Sequence, residues 1–305
     1  MRIFALELDN GIRGIDQRKE YIEGLISRLP SPELVVLPEM SICGRMASQD
    51  AWAYADDRGR DTSAWAIEVA RRYDTHLGVG YVDRDGDDYY DRYLVAGPEG
   101  VCGIVSKSGK GSSAFKGGTP GGTVDTPFGR VGIAIGDDAW GRGFYDLMHG
   151  DEPSLILFPD GTPADPSNPA REHEDSFMRC MAYVDAFGVP VVRANAIGEI
   201  GKLPGVMGRL AELRGFGLNG GSRVYAEFLV SIPAGIDEAV GADVDLLPRP
   251  IRMEIAFRGG EIMLDGRRTQ LLRQALADLD ATLGRRGYGR GKDLVGKGLP
   301  SGTGE

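Results

Sequence analysis

The sequence predicts an α/β protein built as a four-layer α-β-β-α sandwich, in which two β-sheets pack face to face and helices cover their outer sides. Short apolar runs bounded by turn residues predict buried strands, and amphipathic runs between them predict helices. This strand–helix–strand order occurs twice, once up to about Leu94 and again from Gly129 to Arg193. In both halves polar residues follow the strand ends, where α/β proteins place their ligand sites.

The first half opens with a predicted strand at residues 3–8 and a helix whose apolar residues recur every three to four positions. Residues 34–37 form a short apolar run that predicts a buried strand. Pro38 and Glu39 follow directly, so the Glu39 carboxylate is expected at the crevice above the sheet.

A second amphipathic helix carries Ala66, Val69, Ala70 and Tyr73 on one face, with Asp61 or Thr62 as its predicted N-cap. A strand at residues 77–82 and its hairpin partner at residues 93–96 come next. A further strand at residues 101–105 leads to Ser106 and Lys107.

The second half opens with a buried strand that stops at the turn Gly136-Asp137-Asp138. A short helix, a strand, a long helix and another strand are predicted to follow, at residues 142–149, 155–158, 171–187 and 189–193. Residues 198–221 are rich in glycine and predict an irregular loop. Later strands are expected at residues 222–226, 228–232 and 251–257.

The end of the chain shows two different patterns. Leu272, Leu276, Leu279 and Leu283 predict an amphipathic helix, and the residues beyond Arg285 are rich in Gly, Lys and Arg. We therefore expect a single domain over residues 1–285 and a flexible tail over residues 286–305.

Composition excludes several classes of function. A net charge of -10 argues against nucleic-acid binding, and no apolar run is long enough to span a membrane. The N-terminus resembles a strand and not a signal peptide, so we expect a cytoplasmic protein. Three cysteines and three histidines without ligand spacing predict no disulfide scaffold, no metal site and no cofactor.

The residues that could take part in catalysis or binding follow the ends of three predicted strands. Glu39, Lys107 and the pair Gly136 and Asp138 each follow a different strand. A carboxylate and an ammonium group at one sheet mouth could act as general base and electrophile, each shifting the pKa of the other. A structural ion pair at a sheet edge is an equally good interpretation.

Several segments resemble the nitrilase (carbon–nitrogen hydrolase) superfamily. Residues 37–44 resemble its L-P-E-x-x-x-x-G signature, and residues 105–107 match the place of its Y-R-K segment. Residues 128–138 are similar to its G-x-x-I-C-Y-D segment, and residues 191–198 and 220–223 match a later strand and a "GGS" turn. The segments occur in the family's order up to about residue 285, which implies the family's α-β-β-α sandwich.

The resemblance implies the positions of a Glu-Lys-Cys triad, in which a thiolate attacks a nitrile or amide carbon. Glu39 matches the general base, and Lys107 matches the lysine that stabilises the developing negative charge. Lys110 is a rival for the lysine, with a poorer fit to the preceding strand. Asp138 matches the acid two residues after the cysteine and is a candidate binding residue.

The position of the nucleophile is occupied by Gly136, which has no side chain to form a covalent intermediate. Losing a covalent nucleophile lowers the rate by on the order of 10⁴ to 10⁶. The family's additional glutamate after the lysine is also missing, because residues 108–118 contain no acid. Cys43 is the one cysteine near the motif, and a small packing residue is its favoured interpretation. Asp137 could act on a bound water or simply cap the following helix.

Three hypotheses follow for the function. The preferred one is a non-hydrolytic pseudoenzyme that acts as a binding, scaffolding or regulatory subunit. The second is an enzyme of altered chemistry that uses Glu39 and Lys107 on a small amide, nitrile or carbamoyl compound, and the third is ordinary hydrolysis through Cys43. The resemblance implies a homodimer or larger homo-oligomer, and a small amide- or carboxylate-like ligand and a protein partner are further candidates.

Overall fold

The computed structural model describes residues 1–109, 112, 114–200, 212–233, 235–264, 288–289 and 292. Its helices are α1 (Ile15–Ile26), α2 (Arg60–Tyr73), α3 (Arg142–Asp151) and α4 (Pro169–Phe187), with 3-10 helices at Gln49–Tyr54 and Gly136–Trp140. Its strands are β1 (Arg2–Leu6), β2 (Leu8–Asp9), β3 (Leu34–Val36), β4 (Asp56–Asp57), β5 (His76–Asp85), β6 (Asp88–Gly97), β7 (Gly100–Ser106), β8 (Gly122–Thr126), β9 (Gly129–Ile133), β10 (Leu155–Pro159), β11 (Val191–Ala194), β12 (Ala196–Glu199), β13 (Gly217–Asn219), β14 (Arg223–Ala226), β15 (Leu229–Val230), β16 (Ile232–Pro233), β17 (Ala239–Asp243), β18 (Phe257–Arg258) and β19 (Glu261–Ile262).

The strands form two large sheets. The first sheet has eight strands in the order β16-β17-β1-β3-β5-β6-β7, with β4 added beside β5. The second has six strands in the order β15-β14-β11-β10-β9-β8. The central strands β1, β3 and β5 are parallel, as are β9, β10 and β11, so the duplicated rhythm of the sequence appears as two similar sheet centres. Two small sheets, β13-β12-β2 and β18-β19, complete the described structure.

Three apolar clusters define four layers. The first sheet packs against α1 and α2, and the second sheet packs against α3 and α4. Between the sheets, apolar side chains of the two inner faces pack together in a layer that is shielded from water. This layer includes Ile3, Val36 and Val95 from the first sheet and Val131, Leu157 and Val192 from the second. The predicted α-β-β-α sandwich is therefore confirmed.

Two local predictions are wrong. Asp61 and Thr62 do not cap α2 but lie within its first turn, and the carboxylate of Asp56 accepts hydrogen bonds from their backbone N–H groups at 3.2 and 2.7 Å. Residues 251–257 do not form a strand, since β18 begins only at Phe257. The apolar side chains of this stretch instead pack against the cluster beneath α3 and α4.

The predicted C-terminal helix at residues 272–283 lies outside the described residues. Within the predicted tail, the structure describes Tyr288, Gly289 and Lys292. The Tyr288 hydroxyl and Lys292 Nζ both donate hydrogen bonds to Asp88 Oδ1, at 3.0 and 2.6 Å. The boundary between domain and tail stays a prediction. Among the described helices, none is long and apolar enough to cross a membrane.

The first sheet fixes a sharp turn after β3. Ser41 Oγ exchanges hydrogen bonds with the backbone of Gly80 on β5, and Ile42 N donates to Gly80 O at 3.2 Å. Met40 has a φ of +53°, a left-handed conformation that costs a non-glycine residue about 1 kcal/mol or more. A Cβ at Gly80 would lie 2.5 Å from Met40 N and 2.7 Å from Pro38 O. The turn can therefore lie against β5 because residue 80 has no side chain.

We predict that Gly80→Ala lowers the free energy of unfolding by about 1–3 kcal/mol, because the methyl group meets backbone atoms that cannot move aside. Gly24→Ala in α1 is the matched control, since its added methyl meets open space. It should raise the free energy of unfolding by about 0.5–1 kcal/mol through helix propensity. Urea unfolding curves measure both, and an undiminished stability of Gly80→Ala would contradict the close approach.

Candidate functional site

Glu39, Lys107 and Gly136 come together where the two sheets face each other. Lys107 Nζ donates a hydrogen bond of 2.7 Å to Glu39 Oε1. A Cβ built on Gly136 would lie 2.8 Å from both Glu39 Oε2 and Lys107 Nζ. Gly136 has a φ of +53°, so it occupies a left-handed turn after β9. Three strand ends that are distant in sequence thus meet around one point.

Asp138 anchors the residue that follows Lys107. Ser108 N donates a hydrogen bond of 2.8 Å to Asp138 Oδ2, and Ser108 Oγ donates to Oδ1. Burial raises the pKa of Asp138, while the hydrogen bonds from Ser108 act in the opposite direction. Both carboxylate oxygens are engaged within the chain, so this arrangement favours a role in orienting Lys107. Its predicted role in ligand binding stays a prediction.

Two positively charged side chains stabilise the negative charge of Glu39. Arg45 Nε lies 3.5 Å from Glu39 Oε1, on a side chain that packs against Gly161. Burial alone would raise the pKa of Glu39, but Arg45 and Lys107 together lower it to about 2. Burial would also lower the pKa of Lys107, but the charge of Glu39 raises it. At neutral pH the pair is fully ionised, and a carboxylate of such low pKa is a weak general base.

Asp91 is a site residue that the sequence analysis missed. It lies on β6, is 2% exposed, and places Oδ2 at 3.9 Å from Lys107 Nζ. Burial, followed by the charge of Glu39, raises the pKa of Asp91 well above its ordinary value. The hairpin register could have revealed Asp91, because β6 pairs Arg92 with Ser106 and so places Asp91 beside Lys107.

Cys43 lies in the same motif as Glu39 but points elsewhere. Its Sγ faces the carbonyl oxygens of Met40 and Gly44 at 3.7 and 3.4 Å, within an apolar cluster that includes Trp52. Burial raises the pKa of the Cys43 thiol to about 12. The thiol is therefore protonated at neutral pH and does not resemble an activated nucleophile.

The other candidates occupy different surroundings. Asp137 is exposed at the start of the 3-10 helix, and its charge adds to those that keep Lys107 and Arg45 protonated. Lys110, the rival lysine, lies outside the described residues. Among the residues that the structure describes, no group of His, Cys, Asp or Glu side chains could hold a metal ion.

Asp160 ties the second sheet to the turn that carries Glu39. Its backbone oxygen accepts a hydrogen bond from Glu39 N at 3.2 Å, and its Oδ2 accepts from Arg179 and Arg193 at 2.9 Å each. Oδ1 accepts from the N–H groups of Gly161 and Thr162. Burial would raise the pKa of Asp160, but Arg193 and Arg179 hold it far below its ordinary value. The sequence analysis missed this network, although Asp160 directly follows β10 as Glu39 follows its own strand.

Comparisons with known proteins bear on the family and the fold of the chain. A family model described as Carbon-nitrogen hydrolase matches residues 13–239. A search of the curated proteins found no match to the sequence.

Solved structures resemble the fold at low sequence identity. A carbon-nitrogen hydrolase from Helicobacter pylori G27 is 16% identical, covers 81% of this chain and 89% of its own, and gives a TM-score of 0.65. Nit3 of Saccharomyces cerevisiae, a member of branch 10 of the nitrilase superfamily, is 17% identical with 80% and 90% coverage and a TM-score of 0.60. An amidase from Nesterenkonia sp. is 16% identical with 90% and 96% coverage and a TM-score of 0.60.

The family match extends over most of the chain, and these structures share its sandwich of sheets and helices. The chain belongs to the carbon–nitrogen hydrolase family.

Proposed function

We propose that this chain is a non-hydrolytic member of its family, a pseudoenzyme that acts as a binding, scaffolding or regulatory subunit. The observation that carries the proposal is Gly136, whose Cα faces the Glu39–Lys107 pair and carries no side chain. Without a thiol at this position, neither an acyl-enzyme nor a thioimidate can form there.

The geometry of the pair supports the same proposal. Glu39 Oε2 and Lys107 Nζ both lie 2.8 Å from where a Cβ of residue 136 would be, closer than such contacts normally allow. The ends of the Glu39 and Lys107 side chains therefore lie close to where a nucleophilic side chain would begin, and they would have to shift to admit one. The pKa of Glu39, which Arg45 and Lys107 lower to about 2 against the effect of burial, makes proton abstraction at neutral pH unfavourable.

None of the three cysteines is a good substitute. Burial raises the pKa of Cys43 far enough that its thiol stays protonated at neutral pH. Cys102 lies on β7 and Cys180 is buried on α4. In the Nesterenkonia amidase, by contrast, a mutant carries the acetamide moiety of fluoroacetamide covalently on the active-site cysteine.

The retained charges favour a binding role over a purely structural one. Burying ionised groups such as Glu39, Lys107 and Arg45 costs several kcal/mol per ion, and their mutual attraction roughly offsets that cost. Their retention is better explained if the site still receives a small amide- or carboxylate-like ligand. A homo-oligomeric state, a protein partner and a cytoplasmic location complete the proposal.

The alternative is an enzyme of altered chemistry acting on a small amide, nitrile or carbamoyl compound. The intact contact of 2.7 Å between Glu39 and Lys107 is the observation in its favour, since Glu39 could activate water directly. The low pKa of Glu39 counts against it, as a weak base gains little by accepting a proton.

We predict no turnover of nitriles, primary amides or carbamoyl compounds above that of a buffer blank, because the covalent step is missing. Ammonia release measures this, and Glu39→Gln is the matched control that should give the same background. Turnover well above the blank that Glu39→Gln abolishes would overturn the proposal and establish the altered-chemistry enzyme.

We further predict that Gly136→Cys creates a thiol that iodoacetamide alkylates at neutral pH faster than it alkylates Cys102. The introduced side chain would lie equally close to Lys107 Nζ and Glu39 Oε2, and the positive charges of Lys107 and Arg45 together outweigh the negative charge of Glu39 and favour the thiolate. Peptide mapping by mass spectrometry locates the label. Gly136→Ala is the control for backbone strain, which costs about 1–2 kcal/mol in a left-handed conformation. A Gly136→Cys protein that melts like Gly136→Ala yet stays unlabelled at residue 136 would contradict the predicted contact.

A further inference from the structure

Asp91 is a buried acid in the site that the proposed function does not use. Its backbone oxygen accepts a hydrogen bond from Lys107 N at 2.9 Å, so β6 holds its side chain beside the Glu39–Lys107 pair. The Asp91 carboxyl group is a neighbour of that of Glu39, because its Oδ2 lies 3.9 Å and Glu39 Oε1 lies 2.7 Å from the same Lys107 Nζ. Its other oxygen, Oδ1, is buried and has no hydrogen-bond partner among the described residues.

Two buried carboxyl groups beside one ammonium group repel each other when both are ionised, and the repulsion is relieved if one keeps a proton and donates it to the other in a hydrogen bond. The charges around the two groups decide which one keeps it. Glu39 contacts both Lys107, at 2.7 Å, and Arg45, at 3.5 Å, whereas Asp91 lies 3.9 Å from Lys107. The cations therefore stabilise the negative charge on Glu39, and the proton resides on Asp91.

The surroundings of Asp91 contain few other titratable groups. Glu39, Cys43 and Arg45 face it from the turn after β3, and Lys107 faces it from the end of β7. Asp137 faces Lys107 and Arg45 from the second sheet and is exposed. Cys43 is protonated, so Glu39 is the anion that acts on Asp91 most directly.

We propose that Asp91 supplies the acid that the loop after Lys107 lacks: it is a positioning residue that holds one proton against Glu39 and keeps Glu39 in contact with Lys107. The inference goes beyond the proposed function, because it applies to a binding protein and to an enzyme alike. It also means that the site presents a neutral carboxylic acid beside its ionised carboxylate.

A simple counter-ion role explains the geometry less well. At 3.9 Å, Asp91 Oδ2 is too far from Lys107 Nζ for a hydrogen bond, and Glu39 already takes the short contact. An ionised Asp91 would place a second negative charge against Glu39 with Oδ1 unpaired and buried. A protonated Asp91 avoids this repulsion and donates a hydrogen bond.

The test compares unfolding equilibrium constants of the parent protein and Asp91→Asn between about pH 4.5 and 7. The unfolded chain releases the Asp91 proton near its ordinary pKa of 3.8, while the folded protein retains it. The stability that this proton contributes is complete below that pH and is lost as pH rises toward the pKa of folded Asp91. Asp91→Asn has no such proton, so its stability relative to the parent should increase with pH. The unfolding constant of the parent divided by that of Asp91→Asn should rise by up to tenfold per pH unit.

Asp87→Asn, which changes an exposed acid in the turn between β5 and β6, is the matched control and should give a ratio that does not vary with pH. A ratio for Asp91→Asn that is equally constant would overturn the proposal. If Asp91→Asn does not fold, the NMR chemical shift of the Asp91 carboxyl carbon in the parent protein reports whether that group is protonated. A protonated carboxyl at about pH 6 supports the shared proton, and an ionised one excludes it.

Discussion

The buried contact between Glu39 and Lys107 is the interaction on which the site depends. Burial alone opposes the charged form of each group, so each remains ionised only because the other is at 2.7 Å and because Arg45 places a second positive charge beside Glu39. Because Gly136 has no side chain, the Glu39 carboxylate and the Lys107 ammonium group can lie close to where a Cβ of residue 136 would be. A site with a nucleophile here would have to hold the pair farther apart.

The sandwich of two sheets is what brings these groups together. Glu39 and Lys107 come from the ends of strands in the first sheet, and Gly136 comes from the second. Asp160 joins the sheets at this point, because its backbone binds Glu39 N while its side chain is fixed by Arg179 and Arg193. Removing one member of such a buried network leaves an uncompensated charge, so the network fixes the geometry more than it adds to stability.

The fold and the centre of the site could be predicted because both depend on local signals. Apolar periodicity gave the strands and helices, and the position of Glu39 and Lys107 directly after strands indicated a common edge. Asp91 and Arg45 could not be found in this way, since their proximity to Glu39 depends on hairpin register and on a left-handed turn at Met40. The same turn directs Cys43 away from the site, although it lies only four residues from Glu39 in the sequence.

Intact-mass spectrometry of the parent protein after incubation with fluoroacetamide tests the loss of covalent chemistry most directly. We predict an unmodified mass at neutral pH, because no thiol faces Glu39 and Lys107 and the thiol of Cys43 is buried and protonated. An added acetamide group that forms in the parent protein and is absent in Cys43→Ala would show that a working nucleophile is present and would contradict the non-hydrolytic assignment.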